Sequence, residues 1–147
     1  MFKNSEGYSD PTAGTAMSQI MKEYKQTQRE TWRRQDEIKS RSKVYVVSKY
    51  AGNTELNVSK AVEYCRFVIR KKHIPVASHL MYPAVLQDTV SSERELGTMF
   101  GLALLALCDE VWVFGKDQSE GMIAEVVEAK RLKKPLRYFS EEVQYER

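Results

Sequence analysis

One glutamate near the C-terminal end of the chain lies in the sequence pattern with the clearest potential for chemistry. Glu125 follows Ser119 and Gly121 at the start of a predicted helix, and the apolar run Val111–Phe114 precedes this loop. Such a helix start presents a hydroxyl and bare backbone N–H groups, which favour an anion. A carboxylate about one and a half turns into the helix can attack a sugar anomeric carbon. The oxocarbenium-like transition state is cationic, and a covalent ester divides the reaction into two easier steps.

Other chemistries lack their signatures. The sequence contains no GxGxxG, Walker A, GxSxG or HExxH motif, which argues against a dinucleotide dehydrogenase, an NTPase, an ordinary serine hydrolase and a zinc protease. The chain has two histidines and two cysteines without a CxxC pair, so neither a zinc site nor a disulfide scaffold is supported. We therefore expect no metal ion and no cofactor.

Composition predicts an ordinary cytoplasmic domain. The 147 residues are 42% hydrophobic and 29% charged, which suits one domain with a core and a short extension. A net charge of +3, with acids and bases mixed, gives no argument for a nucleic-acid partner. No apolar run approaches the roughly 20 residues of a membrane span, and the N-terminus lacks the pattern of a signal peptide. We expect no membrane contact.

Strand and helix patterns alternate from Lys43 onward. Strands are predicted at 43–48, 73–78, 110–115 and 136–139, and helices at 55–72, 91–108 and 119–132. Ser91 or Ser92 with Glu95 resembles a capping box, and residues 80–90 suggest an irregular helical piece over the site. The alternation predicts an α/β fold of the Rossmann or flavodoxin-like kind: a parallel sheet of four to five strands flanked by helices.

The N-terminal part is predicted to stand apart from this domain. We expect a flexible tail over 1–15, a charged N-terminal helix over 16–42, the α/β domain over 43–140 and a second tail over 141–147. The sparse apolar stripe of the N-terminal helix would pack on the domain or on a second subunit, which favours a homo-oligomer.

Three loops should meet at one end of the sheet. They are Ser48–Asn53, Ser78–Met81 and Gly115–Gly121, and all carry polar residues or glycine. In open parallel sheets, ligands bind beyond the carboxyl ends of the strands. This placement predicts a small-molecule site, with Tyr50 and Asn53 facing Glu125 across the end of the sheet.

The motif around the glutamate resembles that of a known superfamily. The pattern Ser119-x-Gly121-x-x-x-Glu125-x-x-x-Ala129, preceded by Asp109 and an apolar strand, is similar to the nucleoside 2-deoxyribosyltransferases. That superfamily includes the 2'-deoxynucleoside 5'-phosphate N-hydrolases. The strand ending at Ser48, with Ala51-Gly52-Asn53, is similar to the superfamily's Tyr-Leu-Ala-Gly-Pro element, although asparagine stands where proline is usual. The run from Cys108 to Gly115, with Ser-x-Gly-Met after it, resembles a bacterial and phage branch without an assigned activity. The resemblance covers residues 43–139.

The resemblance implies an enzyme of the nucleoside or nucleotide N-glycosidic bond, either a deoxyribosyltransferase or a deoxynucleotide N-hydrolase. Glu125 would be the nucleophile that attacks C1'. A nucleoside or nucleotide would be the small-molecule partner. The residues implied to bind substrate are Tyr45, Ser48, Tyr50, Gly52, Asn53, His79, Arg94, Ser119, Gly121 and Met122. Among them, Ser119 and the Gly121 and Met122 amides would hold a hydroxyl or 5'-phosphate oxygen, Arg94 a phosphate and His79 the base.

One departure leaves other interpretations open. The superfamily commonly has a second acid about two helical turns before the Asp109 position, where this chain has Gly101. The substitutes on offer are Asp88, Glu93, Glu95 and Tyr50. A glycine at this position also fits a catalytically inactive nucleotide-binding module. A phosphoribohydrolase-like enzyme is a further alternative, although the Pro-Gly-Gly-x-Gly-Thr loop of that group is missing.

The same residues also fit purely structural roles. Glu125 could be a solvated residue that favours the helix dipole, and Ser119 and Asn53 could only cap helices. Tyr45 and Trp112 could be core side chains.

Overall fold

The computed structural model describes residues 10–143, and the chain divides into two compact units, Met1–Ser40 and Arg41–Arg147. The first unit contains α1 (Pro11–Thr27) and α2 (Arg29–Lys39). Helix begins earlier than the predicted tail over 1–15 allows, because Asp10 caps α1 by accepting a hydrogen bond from the Ala13 amide at 3.0 Å. Residues 1–9 lie outside the described residues.

The predicted single N-terminal helix is two helices in the structure. Gln28 separates them with a non-helical backbone, at once the C-cap of α1 and the N-cap of α2. Among residues 11–39 none is buried, and α1 exposes a stripe of apolar side chains. The stripe consists of Met17, Ile20, Met21 and Tyr24.

The second unit is an α/β domain. Its elements are β1 (Lys43–Val47), α3 (Thr54–Arg70), β2 (Ile74–Val76), two short 3-10 helices (Ser78–Leu80 and Tyr82–Ala84), α4 (Ser91–Leu107), β3 (Glu110–Phe114), α5 (Glu120–Arg131) and β4 (Leu136–Phe139). The four strands pair in parallel in the order β2-β1-β3-β4. The predicted flavodoxin-like α/β fold with a parallel sheet is confirmed, and the short helical pieces fall inside the stretch 80–90 or just before it.

Both faces of the sheet are covered, as continuous apolar strands require. Alternate residues of β1 and β3 point to opposite faces. Tyr45 and Val47 join a cluster with α4 and α5, whereas Val44 and Val46 pack with α3. The α3 side is aromatic: Tyr64 stacks on Phe114 with ring centroids 4.4 Å apart.

The C-terminal end of the described chain returns to this second cluster. Val143 is fully buried there, whereas Glu141 and Glu142, in the predicted tail over 141–147, are exposed. Lys60 on α3 pairs with Glu141 at 3.0 Å and holds this segment against the domain. Residues 144–147 lie outside the described part of the chain.

Helix starts match two of the three predicted caps. Ser119 accepts a hydrogen bond from the Met122 amide at 3.4 Å, and Asn53 accepts one from the Leu56 amide at 3.2 Å. The capping-box prediction for α4 is wrong. Val90 is its N-cap and makes no side-chain cap bond. Ser91 already stands at the first helical position, so its hydroxyl is one residue too late to cap.

The strand order places a crevice between β1 and β3. The connection after β1 leads to β2 on one side of this pair, and the connection after β3 leads to β4 on the other side. Ligands bind at such a switch point, beyond the carboxyl ends of the strands. The loops after β1, β2 and β3 meet at this edge.

Candidate active site

A pocket of about 180 Å³ lies at this edge, on the side of the sheet covered by α4 and α5. Its lining combines aromatic rings, small residues of α4 and a few ionisable groups. The lining residues are Tyr45, Tyr50, Ser78, His79, Tyr82, Pro83, Leu86, Asp88, Glu93, Arg94, Gly97, Thr98, Gly101, Gly121 and Glu125. A concave, largely apolar pocket with a few converging polar groups is typical of a small-molecule site.

Glu125 is the group in this pocket with the most unusual environment. Its Oε2 atom is buried and accepts no hydrogen bond from any described residue. Burial raises the pKa of the Glu125 carboxyl to about 7, and the nearby Tyr45 phenol opposes part of that rise. A buried carboxylate with an unpaired oxygen is poised to meet an electrophile or a cation instead of water.

Tyr45 forms the floor of the pocket beside this carboxyl group. It is fully buried, and its hydroxyl lies 2.7 Å from Ser78 Oγ. Burial raises the pKa of the Tyr45 phenol, and the negative charge of Glu125 raises it further. The phenol therefore keeps its proton across the physiological range and can donate it in a hydrogen bond to a carboxylate or a ligand.

Gly101 is where α4 approaches this floor. A Cβ atom at Gly101 would lie 3.1 Å from both Ser78 Oγ and the Tyr45 hydroxyl, which is tighter than an ordinary van der Waals contact. The Tyr45–Ser78 pair thus fills the space that a side chain at this position would need. A side chain at position 101 would have to shift that pair by a few tenths of an ångström, and the glycine found there brings no acid.

His79 lines the pocket as a neutral imidazole. Burial lowers the pKa of its ring to about 4, and its Nε2 lies 3.0 Å from Ser48 Oγ. The Tyr50 ring is tilted against it, with centroids 6.2 Å apart. At neutral pH this histidine offers a hydrogen-bonding ring nitrogen rather than a charge.

The structure brings together six of the eleven site residues inferred from sequence. Those that line the pocket are Tyr45, Tyr50, His79, Arg94, Gly121 and Glu125. Ser48 does not line the pocket, but it is the hydrogen-bond partner of His79. Of the proposed substitutes for the second acid, Asp88, Glu93 and Tyr50 line the pocket and Glu95 does not.

The remaining four residues inferred from sequence do not line the pocket. Ser119 Oγ is bonded to the Met122 amide, and the Met122 side chain is buried in the core. Gly52 is exposed with a positive φ of 98°. Asn53 lines a second, more polar cavity of about 220 Å³ that also contains Tyr64 and Phe114. That cavity lies on the α3 side of the sheet, because Tyr64 and Phe114 belong to the cluster on that side. Asn53 therefore does not face Glu125.

Some pocket residues were not singled out from the sequence. Ser78, Tyr82, Leu86, Gly97 and Thr98 all contribute to the lining. One signal could have found Gly97 and Thr98, because Gly97 is four residues before Gly101 on α4 and Thr98 lies between them. Small residues at that spacing mark a helix face that something must approach closely.

The loop that carries Tyr50 is held by a buried amide. Asn57 Nδ2 donates to the backbone carbonyls of Tyr50 and Ala51 at 3.1 and 3.0 Å. We expect Asn57→Ala to lower the free energy of unfolding by about 1–3 kcal/mol, because both bonds are lost in a buried position. Urea denaturation measures this, with Ser59→Ala, an exposed position on the same helix, as the control. Equal stability of both variants would contradict this role for Asn57.

Two further features of residues 10–143 bear on the class of protein. Within that range His, Cys, Asp and Glu side chains form no group of three that could hold a metal ion. None of the described helices is both long enough and apolar enough to cross a membrane.

The fold and the pocket define a flavodoxin-like α/β domain with a ligand-sized site above its parallel sheet. The chain belongs to the family described as a domain of unknown function (DUF7768), whose profile matches residues 42–139. Among solved structures, it is similar to a 2-deoxyribosyltransferase from the psychrotolerant bacterium Bacillus psychrosaccharolyticus, characterised as a biocatalyst for the synthesis of nucleosides. The TM-score is 0.57 at 15% identity, over 67% of this chain and 72% of that one. At this identity the likeness establishes a shared fold. No curated protein matches the chain.

Proposed function

We propose that the chain is an enzyme of the N-glycosidic bond of nucleosides or nucleotides, with Glu125 as the nucleophile. The observation that carries this proposal is the Glu125 carboxyl group itself. Its Oε2 is buried without a hydrogen-bond partner among the described residues, and it lines a pocket of about 180 Å³. The shared fold with a 2-deoxyribosyltransferase supports the same reading.

In the proposed reaction, the ionised Glu125 carboxylate attacks C1' of the sugar. A C1'–O ester bond forms while the C1'–N bond breaks, and the bonding electrons leave with the base nitrogen, which takes up a proton. Water or a second base then attacks C1', gives a proton to the group that protonated the leaving base, and releases the carboxylate. Water gives hydrolysis, and a base gives transfer. The Tyr45 phenol orients the carboxylate by hydrogen bonding, and the protein needs no redox group for either step.

The proton for the leaving base would come from another group in the pocket. Asp88 and Glu93 contribute carboxyl groups to the lining, and Tyr50 contributes a phenol. His79 is unsuited to donate that proton near neutrality because burial keeps its pKa near 4. It is better suited to orient the base through a hydrogen bond.

The balance of charge in the pocket favours a nucleoside over its 5'-monophosphate. Asp88 and Glu93 each bring a carboxyl group, whereas Arg94 brings the one guanidinium or ammonium group among the lining residues. A dianionic phosphate would meet these two acids, in addition to Glu125, for one base, although the start of α5 at Gly121 offers some compensation. We therefore expect deoxynucleosides to react faster than deoxynucleotides.

A binding module without activity is the second candidate. Gly101, packed against Tyr45 and Ser78, favours it because the site lacks an acid at that position. Such a module would hold a nucleoside or nucleotide in the same pocket and leave the glycosidic bond intact.

One experiment separates these candidates. The protein is incubated with a panel of deoxynucleosides and their monophosphates, with and without a free acceptor base, and chromatography follows base release or exchange. We expect release or exchange from at least one deoxynucleoside. Exchange without net release identifies a transferase. Absence of turnover, together with thermal stabilisation by a nucleoside, would replace the enzyme with the binding module.

A further inference from the structure

The outward side of α4 is an apolar surface that no element among residues 41–143 covers. Its residues are Leu96, Met99, Phe100, Ala103 and Leu107, which we call the α4 face. The four larger side chains are 41–73% exposed. At 3.6 residues per turn, all five fall within about a third of the helix circumference. The side of α4 that carries Gly101 and Leu105 is buried against the sheet.

The lack of charged side chains over most of this helix is typical of a helix that another element or chain covers. No charged side chain occurs from Leu96 to Cys108. A helix on the surface of a monomer normally carries charged residues on its outer face, whereas one that is apolar all round is normally buried. Monomers seldom expose contiguous apolar surfaces of more than a few hundred Å². A helix face of this kind is normally covered by another element or another chain.

We propose that a second copy of this chain covers it, with the two α4 helices packed antiparallel about a two-fold axis that crosses the α4 face midway between Leu96 and Leu107. In that arrangement Leu96 of one copy meets Leu107 of the other, and Ala103 leaves room for the facing Met99 or Phe100. The surface is self-complementary, as a two-fold interface requires.

Charges at the two ends of α4 support the antiparallel arrangement. Glu95, at the N-terminal end, is exposed and has no ion-pair partner among the described residues. Lys134 stands at the other end, where its ammonium donates to the Ala106 carbonyl at 2.9 Å. The two-fold axis brings Glu95 of each copy to Lys134 of the other. A parallel pair would instead place like charges together.

The exposed apolar side chains suit the core of a dimer contact. The four larger side chains of the α4 face, with Ile123 and Val127 on α5, which contacts α4, are 41–73% exposed, and a standard interface buries roughly 800 Å² per partner. These side chains supply the apolar core of the contact, and the Glu95–Lys134 pairs lie at its rim.

The second copy would border the pocket. Phe100 packs on Tyr82 with ring centroids 5.3 Å apart, and Tyr82 lines the pocket. Covering Phe100 therefore narrows the rim on the α4 side. The dimer does not depend on the proposed reaction, because it follows from the α4 face and its charges alone.

Light scattering on the full-length protein after gel filtration tests the proposal. We expect the mass of two chains. Met99→Glu should raise the dissociation constant of the dimer at least about a hundredfold, because a carboxylate would be desolvated inside an apolar contact. Ile69→Glu is the matched control, since Ile69 on α3 is 54% exposed and Met99 is 56% exposed. A single-chain mass for the unmodified protein would overturn the proposal, and so would binding of that monomer to lipid vesicles.

Charge reversal distinguishes the interface from a general loss of folding. Glu95→Lys and Lys134→Glu should each weaken the dimer about fivefold, because each places like charges at both ends of the interface. The double variant restores opposite charges and should recover most of that loss. A dimer that Met99→Glu leaves intact, or a double variant weaker than both single ones, would contradict the antiparallel α4 contact.

Discussion

Glu125→Gln lowers the rate of base release at least about a thousandfold under the proposed mechanism, because removing a covalent nucleophile leaves only binding and orientation to accelerate the reaction. Glutamine keeps the shape of the side chain and can still occupy the pocket, so binding of a nucleoside should persist. Single-turnover base release and calorimetric binding measure the two properties separately.

The matched control is Glu128→Gln on the same helix. Glu128 pairs with Arg131 at the surface and lies outside the pocket lining. Its replacement should leave the rate unchanged within about twofold, because exposed ion pairs contribute little. Equal losses in both variants would point to damage to α5 rather than to a nucleophile. Full activity in Glu125→Gln would remove Glu125 from the reaction.

The sequence predicts the fold well because its strands are short, apolar and separated by helices with clear periodicity. Val111–Phe114 is buried at every position, as a strand covered on both faces must be. The helix start at Ser119 was equally predictable from the sequence, since a serine after a loop and before a helical pattern is a common N-cap. These features depend on neighbours in sequence.

The site was less predictable, because it depends on which face of the sheet each loop reaches. Tyr50 and Asn53 lie in the same loop, yet Tyr50 lines the pocket on the α5 side and Asn53 lines the cavity on the α3 side. Three residues of backbone separate the two faces. Linear order gives no signal for that change of side.

The surroundings of Gly101, where the second acid is missing, could not be predicted from the sequence. Gly101 is packed against the hydroxyl groups of Tyr45 and Ser78, which are 56 and 23 residues away in the chain. Only the folded sheet brings these groups together. The same holds for α4 as a whole, because an apolar helix does not reveal from sequence which of its sides the domain itself covers.

The proposed nucleophile should also give the reaction a defined pH dependence. The Glu125 carboxyl has a pKa of about 7 and must be ionised to attack. Below pH 7, kcat/KM should therefore rise about tenfold per pH unit, and above it the profile should level off. A profile that is flat from pH 5 to 8 would exclude a nucleophile with this pKa.

The titration of Glu125 should also change the stability of the protein, which should fall as the carboxyl group ionises. The folded pKa of Glu125, about 7, lies above the ordinary value of 4.5, so the folded state holds this proton more tightly than the unfolded state. This contribution is fully present below pH 4.5 and is lost as the pH rises through 7, at a cost of about 2–3 kcal/mol. Glu125→Gln has no proton to lose.

The difference in unfolding free energy between Glu125→Gln and the unmodified protein therefore isolates this group, because all other titrations cancel. Urea denaturation from pH 4.5 to 8 should show the variant gaining stability relative to the unmodified protein by about 2–3 kcal/mol as the pH rises. A constant difference would mean that the buried Oε2 is solvated in solution. The carboxylate would then lack the desolvation that makes it reactive, and the pocket would be better described as a binding site than as a catalytic one.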